Sequence, residues 1–111
     1  MNDIEDLHRA AMNLADRADA SGRDVIILRQ AFDLERAAAL LAAERGVPQP
    51  SLGVLYSSAA SLAIECGLYP EAKALVDQAL SSSDELPDDL AADLIELRDD
   101  INARTATRSA P

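Results

Sequence analysis

The sequence predicts an all-α fold, a short array of about five helices paired as antiparallel hairpins. Three observations carry that expectation. Apolar residues make up 49% of the 111 residues while aromatics make up only 3%. The core must therefore be Leu, Ile, Val and a great deal of Ala, the best helix former and a side chain small enough to let helices approach closely. Apolar residues also recur at spacings of three and four, the helical period. Finally, Gly46 with Pro48 and Pro50, Gly67 with Pro70, and Pro87 cut the chain into separate periodic runs.

The first helix is expected from about Asp3 to Ala20, with the stripe Ile4, Leu7, Ala11, Leu14, Ala15 and Ala18. "SGRD" then makes a turn in which Asp24 is placed to cap the next helix. The second, from about Val25 to Arg45, carries Ile27, Leu28, Ala31, Phe32, Leu34, Ala38 and Leu41. That coverage is broad enough for contact on more than one side. Gly46 and the two prolines stop it. The third runs from about Ser51 to Cys66 on Leu52, Leu55, Tyr56, Ala59, Ala60, Ala63 and Ile64, ending at Gly67. The fourth starts at Pro70, suited to a first helical turn, and buries Ala72, Leu75, Val76, Ala79 and Leu80. After the polar link "SSSDELP", the fifth runs from near Pro87 to about Ala103, with the narrow stripe Leu90, Leu94, Leu97 and Ile101. Asp88 and Asp89 suit its N-terminus. Residues 1–104 form one domain in this reading, and 105–111 a flexible tail.

The formal net charge of −10 disfavours nucleic acid and anionic membranes as partners, and also keeps an Ala-rich surface soluble. Cys66 is the only cysteine, so no internal disulfide forms, which fits a reducing compartment. No run approaches the roughly 18 apolar residues of a membrane span, and the acidic start does not read as a secretory signal. The expectation is a cytoplasmic protein. Nine Arg against one Lys, with Ala about a fifth of the chain, hints at a GC-rich bacterial genome.

The stretch from residue 52 to 80 resembles one tetratricopeptide repeat, the helix-turn-helix unit of many scaffold proteins. Tyr56 stands where that family has an early aromatic and Ala60 where it has a small residue. Gly67 and Tyr69 match the inter-helix turn. Ala72, and then Ala79 with Leu80, match the second helix. Asp84 replaces the usual closing Pro, which comes late at Pro87. Small residues let backbones approach, and Gly67 can adopt the left-handed conformation at a helix end. The first two helices resemble a second, degenerate copy, with Ala31 and Phe32 parallel to Ala79 and Leu80. The copies stand 48 residues apart where the family has about 34. The resemblance implies a right-handed array with the fifth helix as its C-terminal cap.

Nothing in the sequence assembles an active site, and no cofactor is expected. His8, the only histidine, reads as a surface or half-buried side chain. Cys66 has no His partner and lies beside Glu65, which discourages a thiolate. The acidic stretch from Asp84 to Asp100 lacks the alternating oxygen ligands and central Gly of a calcium loop, and no second His or Cys completes a metal site. The family resemblance instead implies a concave face lined by the first helix of each hairpin. Arg9, Asn13 and Arg17 would present it in helix one, and Val54, Ser57, Ser61 and Ile64 in helix three. Arg9, Asn13 and Arg17 fall at i, i+4 and i+8, and could either grip a peptide carboxylate or pair with the nearby Asp6, Asp16 and Asp19.

The expected function is a non-catalytic protein-interaction module that holds a peptide or helix of another protein. The alternative is a dedicated inhibitor or chaperone, antitoxin-like or secretion-chaperone-like, of one basic client. Two hairpins fall short of the three repeats such stacks usually need; either the long second helix adds core by itself or, as the favoured expectation, dimerisation or docking on a larger partner covers an exposed face. The packing expectation is directly testable. Ala72→Leu or Ala79→Leu should overpack the hairpin and lower stability by about 1–3 kcal/mol in thermal melts, and neutrality of both would contradict close packing.

Overall fold

The computed structural model describes residues 3–81 and 86–109, so Asp84 lies outside the described residues. It contains helices α1 (Asp3–Ala20), α2 (Val25–Glu44), α3 (Ser51–Glu65), α4 (Tyr69–Leu80) and α5 (Asp88–Ser109), and no strand among those residues. Each helix packs on the next, and α3 also packs on α5. The molecule measures 46 × 33 × 20 Å, and its short dimension is about two helix diameters. The zigzag therefore makes two layers, with α1, α3 and α5 in one and α2 and α4 in the other. This is the hairpin array the apolar spacing predicts.

Local chemistry accounts for the helix ends. The Asp24 carboxylate accepts from the Ile26 and Ile27 amides at 2.9 and 3.4 Å, capping α2 as expected. Pro50 offers no side-chain cap to α3. Gln49 substitutes: its Oε1 accepts from the Gly53 amide at 2.8 Å. Gly67 has φ +73, and beyond it the Leu68 amide donates to the Ala63 carbonyl at 2.8 Å, closing the α3 C-terminus. In the turn after α1, Arg23 itself takes φ +64, an uncommon conformation for a side-chain-bearing residue. Its guanidinium bonds Glu65 at the far end of α3 and reaches Asp19 at 3.6 Å, so the turn is tied to a helix two elements away.

Half of the buried apolar residues are alanines, drawn from α1, α2, α3 and α4. Tyr56, Ala60, Ala72 and Ala79 all lie in the core. Tyr56 fills space between helices with its ring, while its Oη is buried without a hydrogen-bond partner among the described residues. Phe32 is fully buried, with the Arg36 guanidinium 4.8 Å and Arg29 5.9 Å from its ring centroid. In α5, Leu94 and Ile101 are fully buried and Leu90 and Leu97 partly so, matching the expected stripe. Burying each large aliphatic stabilises by roughly 1.5–3 kcal/mol. α5 thus covers the apolar faces of α3 and α4.

One feature departs from the sequence expectation and a second was not foreseen by it. The fifth helix does not stop near Ala103 but continues to Ser109, through most of the segment read as a tail. No Gly or Pro interrupts residues 88–109. Thr105 Oγ1 donates to the Ile101 carbonyl at 2.9 Å, which satisfies its hydroxyl within the helix. The second feature is Gly53, inside α3. A Cβ there would lie 2.6 Å from Leu90 Cδ2 and 2.9 Å from Leu86 Cδ2, so the glycine is the seat on which the start of α5 rests. Gly53→Leu should lift α5 and lower stability by about 1–3 kcal/mol, although Leu is the better helix former by nearly 1 kcal/mol. A more stable variant in urea melts would show that α5 does not need this close approach.

Candidate functional site

α3 occupies the middle of its layer, and its outer face is flanked by α5 on one side and α1 on the other. Val54 is 48% exposed on this face, while Ser57, Ser61 and Ile64 are half-buried. The hydroxyls and small side chains at 57 and 61 leave room beside α5. There a groove of about 550 Å³ is lined by Ser57 and Ser61 on α3 and by Asp93, Glu96, Leu97 and Asp100 on α5. Spacings of three and four put those α5 residues on one face. Asp100 is partly neutralised by Arg104, 3.0 Å away one turn on. Asp93 and Glu96 keep the groove acidic, with Leu97 as its apolar floor.

On the other side, Val54 and Leu55 join Ile4, Glu5 and His8 of α1, with Val47 and Ser51, around a cleft of about 320 Å³. Its lining is mostly aliphatic. His8 stands in its wall, its side chain 41% exposed, and Nδ1 lies 2.8 and 2.9 Å from the two carboxylate oxygens of Glu35. Glu35 comes from α2 and is 0% exposed, the one buried charged residue among those described. A carboxylate taken out of water is costly unless it is paired and hydrogen-bonded, and His8 supplies that partner. The pair engages Nδ1 and leaves Nε2 as the ring nitrogen outside it.

The sequence reading left His8 either at the surface or half-buried, and the structure makes it half-buried; it missed Glu35. A positional signal was present. Glu35 lies on the same stripe of α2 as Leu28, Ala31, Phe32, Ala38, Ala39 and Ala42, all buried. A charge inside such a stripe demands a partner, although spacing alone does not say from which helix it comes.

The other expected site residues are distributed unevenly. The structure brings Ser57 and Ser61 together with the acidic face of α5 and puts Val54 in the α1 cleft. Arg9, Asn13 and Arg17 are all exposed and line neither depression. Arg9 reaches Asp6 at 3.6 Å, an exposed pair worth little by itself. A third depression, about 310 Å³, lies at the start of α2, where Val25 and Ile26 are 60% and 73% exposed beside Cys66 and Leu68. Burial pushes the Cys66 thiol above its ordinary range, against the pull of Arg29, so thiolate formation is disfavoured. Among the described residues no three His, Cys, Asp or Glu side chains gather as metal ligands, and no helix is long and apolar enough to cross a membrane.

No family model, curated protein or solved structure matches the chain.

The His8–Glu35 pair makes an asymmetric prediction. His8→Ala leaves the buried carboxylate without its partner and should cost about 1–3 kcal/mol in urea unfolding. Replacing both residues by Leu should recover most of that loss. If the two variants are equally destabilised, the pair is not what makes Glu35 tolerable in the core.

Proposed function

We propose that the chain is a non-catalytic, tetratricopeptide-like interaction module whose α3–α5 groove holds a basic segment of a partner protein. The observation that carries this reading is the groove itself: Ser57 and Ser61 form one wall, and Asp93, Glu96 and Asp100 the other. Burial of Tyr56, Ala60, Ala72 and Ala79 at the seams between helices supports the repeat reading. Hydroxyls offer hydrogen bonds to a peptide main chain, Leu97 offers apolar contact, and the carboxylates select positive charge. The net charge of −10 would steer such a partner toward the protein. A dedicated inhibitor or chaperone of one basic client uses the same surface and differs in having a single stoichiometric partner. The lone, half-buried Cys66 supports a reducing, cytoplasmic setting.

A labelled helical peptide of alternating Lys and Leu turns is a suitable probe, with binding read by fluorescence anisotropy. Asp93→Asn combined with Glu96→Gln should weaken binding roughly fivefold or more at low salt, with the difference shrinking as salt is added. Arg9→Glu combined with Arg17→Glu should leave it unchanged or slightly tighter. The opposite pattern would move the binding surface to the α1 stripe of Arg9, Asn13 and Arg17.

A further inference from the structure

The two ends of the array differ. At one end α5 covers the apolar faces of α3 and α4. At the other, the α1–α2 hairpin has an edge turned away from α3, against which no further described helix packs. On α1, Ile4, Glu5 and His8 line the cleft toward α3, so helical spacing puts Leu7, Ala10 and Leu14 on the opposite flank. On α2, Val25 and Arg29 face Cys66 and Leu68, which puts Ile27, Leu34 and Leu41 on the flank away from them. All six are half-buried, and Leu34 is not among the side chains packed on the core. Charged residues are 27% of the chain, yet helical spacing places none on this edge between Leu7 and Leu14 or between Ile27 and Leu41. An apolar centre depleted of charge is the composition of a protein interface core.

The pattern of the edge says what covers it. On α1 it reads Asp3, Leu7, Ala10, Leu14, Arg17, with opposite charges seven residues either side of Ala10. On α2 it reads Ile27, Leu34, Leu41, again seven residues either side of the middle. The helices are antiparallel. His8 meets Glu35, and Asp3 lies 3.4 Å from Arg45, so Ala10 stands nearly level with Leu34. Both stripes are therefore symmetric about one level, as a single two-fold axis there requires. An unrelated partner imposes no such symmetry. We infer that this edge is an isologous interface with a second copy of this chain. α1 lies antiparallel to its counterpart, Leu7 packing near Leu14 of the second copy. α2 does the same, Ile27 packing near Leu41 of the second copy. Ala10 and Leu34 sit at the axis. Asp3 meets Arg17 of the second copy, and the pair occurs twice. Both groups are available for it. Arg17 forms no ion pair among the described residues, and the Asp3 side chain is 67% exposed beside Arg45. The edge is about 20 Å long at 1.5 Å per residue and spans the 20 Å thickness of the molecule. Pairing two copies buries on the order of 1,000 Å², the low end for a specific interface, so the dimer is weak and reversible. The axis runs from layer to layer, which leaves the α3–α5 grooves of both copies open on the same side. The interface does not rest on what those grooves bind.

The test is the mass of the whole protein by sedimentation equilibrium, from micromolar to millimolar concentration. The mass should rise from 11.8 kDa toward twice that value and stop there, because a two-fold interface closes on itself. Leu34→Glu sets like charges face to face at the axis and should weaken association at least about tenfold. Circular dichroism checks that the variant is folded, and Ala10→Glu, at the same axis on α1, replaces it if it is not. Arg17→Asp should weaken association about threefold. Adding Asp3→Arg to Arg17→Asp reverses both charges of the pair and should recover most of that loss. A protein that stays at 11.8 kDa at millimolar concentration overturns the proposal. Growth beyond a dimer, a dimer indifferent to the glutamate at the axis, or a second charge change that deepens the loss would each do the same.

Discussion

The close approach of helix backbones is the constraint on which the rest of this structure depends. A core in which half of the buried apolar residues are alanines cannot fill space with side chains, so it must fill it with backbone. Ala60 on α3 and Ala72 and Ala79 on α4 are buried in the same core, and at Gly53 the side-chain ends of Leu90 and Leu86 occupy the space a Cβ would take. Large residues are used sparingly, each at a seam. Phe32 is buried within α2, Tyr56 sits in the core from α3, and Leu94 and Ile101 anchor α5. Packing of this kind leaves little tolerance for added volume and much for polar substitution on the outer faces.

The same closeness explains how a carboxylate survives in the core. With α1 and α2 packed against each other, a side chain on the inner stripe of α2 comes within hydrogen-bond distance of His8 on α1. Burial would penalise Glu35 alone, and pairing offsets that cost while fixing the imidazole. The energetic requirement of one residue thereby sets the orientation of another at the surface. Whatever enters the cleft beside Val54 and Leu55 meets a ring held from behind rather than one free to rotate.

α5 turns part of its acidity toward α3. Between Asp88 and Arg104, α5 carries six carboxylates and two guanidiniums, and three of the carboxylates look across at the small hydroxyl residues of α3. Many arginines elsewhere are internally matched: Arg23 with Glu65, Arg29 and Arg36 with Asp33, and Arg45 with Asp3 at 3.4 Å. These exposed pairs contribute little stability individually. Net charge does not single out α5, since α1 has five carboxylates and two arginines and α5 six and three; what distinguishes α5 is that Asp93, Glu96 and Asp100 share one groove. The proposed recognition of a basic segment rests on that groove rather than on the α1 stripe of Arg9, Asn13 and Arg17.

The amino-acid sequence by itself determined the number of helices, most of their ends and the residues of the core. Those features arise from local physics: apolar period, the Asp24 cap, and breakers such as Gly46 and Gly67. It also determined that Ser57 and Ser61 share a face, since helical spacing alone requires it. Tertiary structure decided what that face looks at. Whether Ser57 meets the α1 stripe or the acids of α5 depends on the packing of helices far apart in sequence, and no periodicity encodes it. The same holds for Glu35, whose place on an apolar stripe was visible but whose partner lies 27 residues away on another helix. The length of α5 was underestimated for a related reason. Residues beyond Ala103 have no apolar pattern, and no Gly or Pro there breaks the helix, within which the Thr105 hydroxyl is satisfied by the Ile101 carbonyl. Local sequence specifies elements and faces, and the juxtaposition of faces, where binding is made, is a property of the assembled layers.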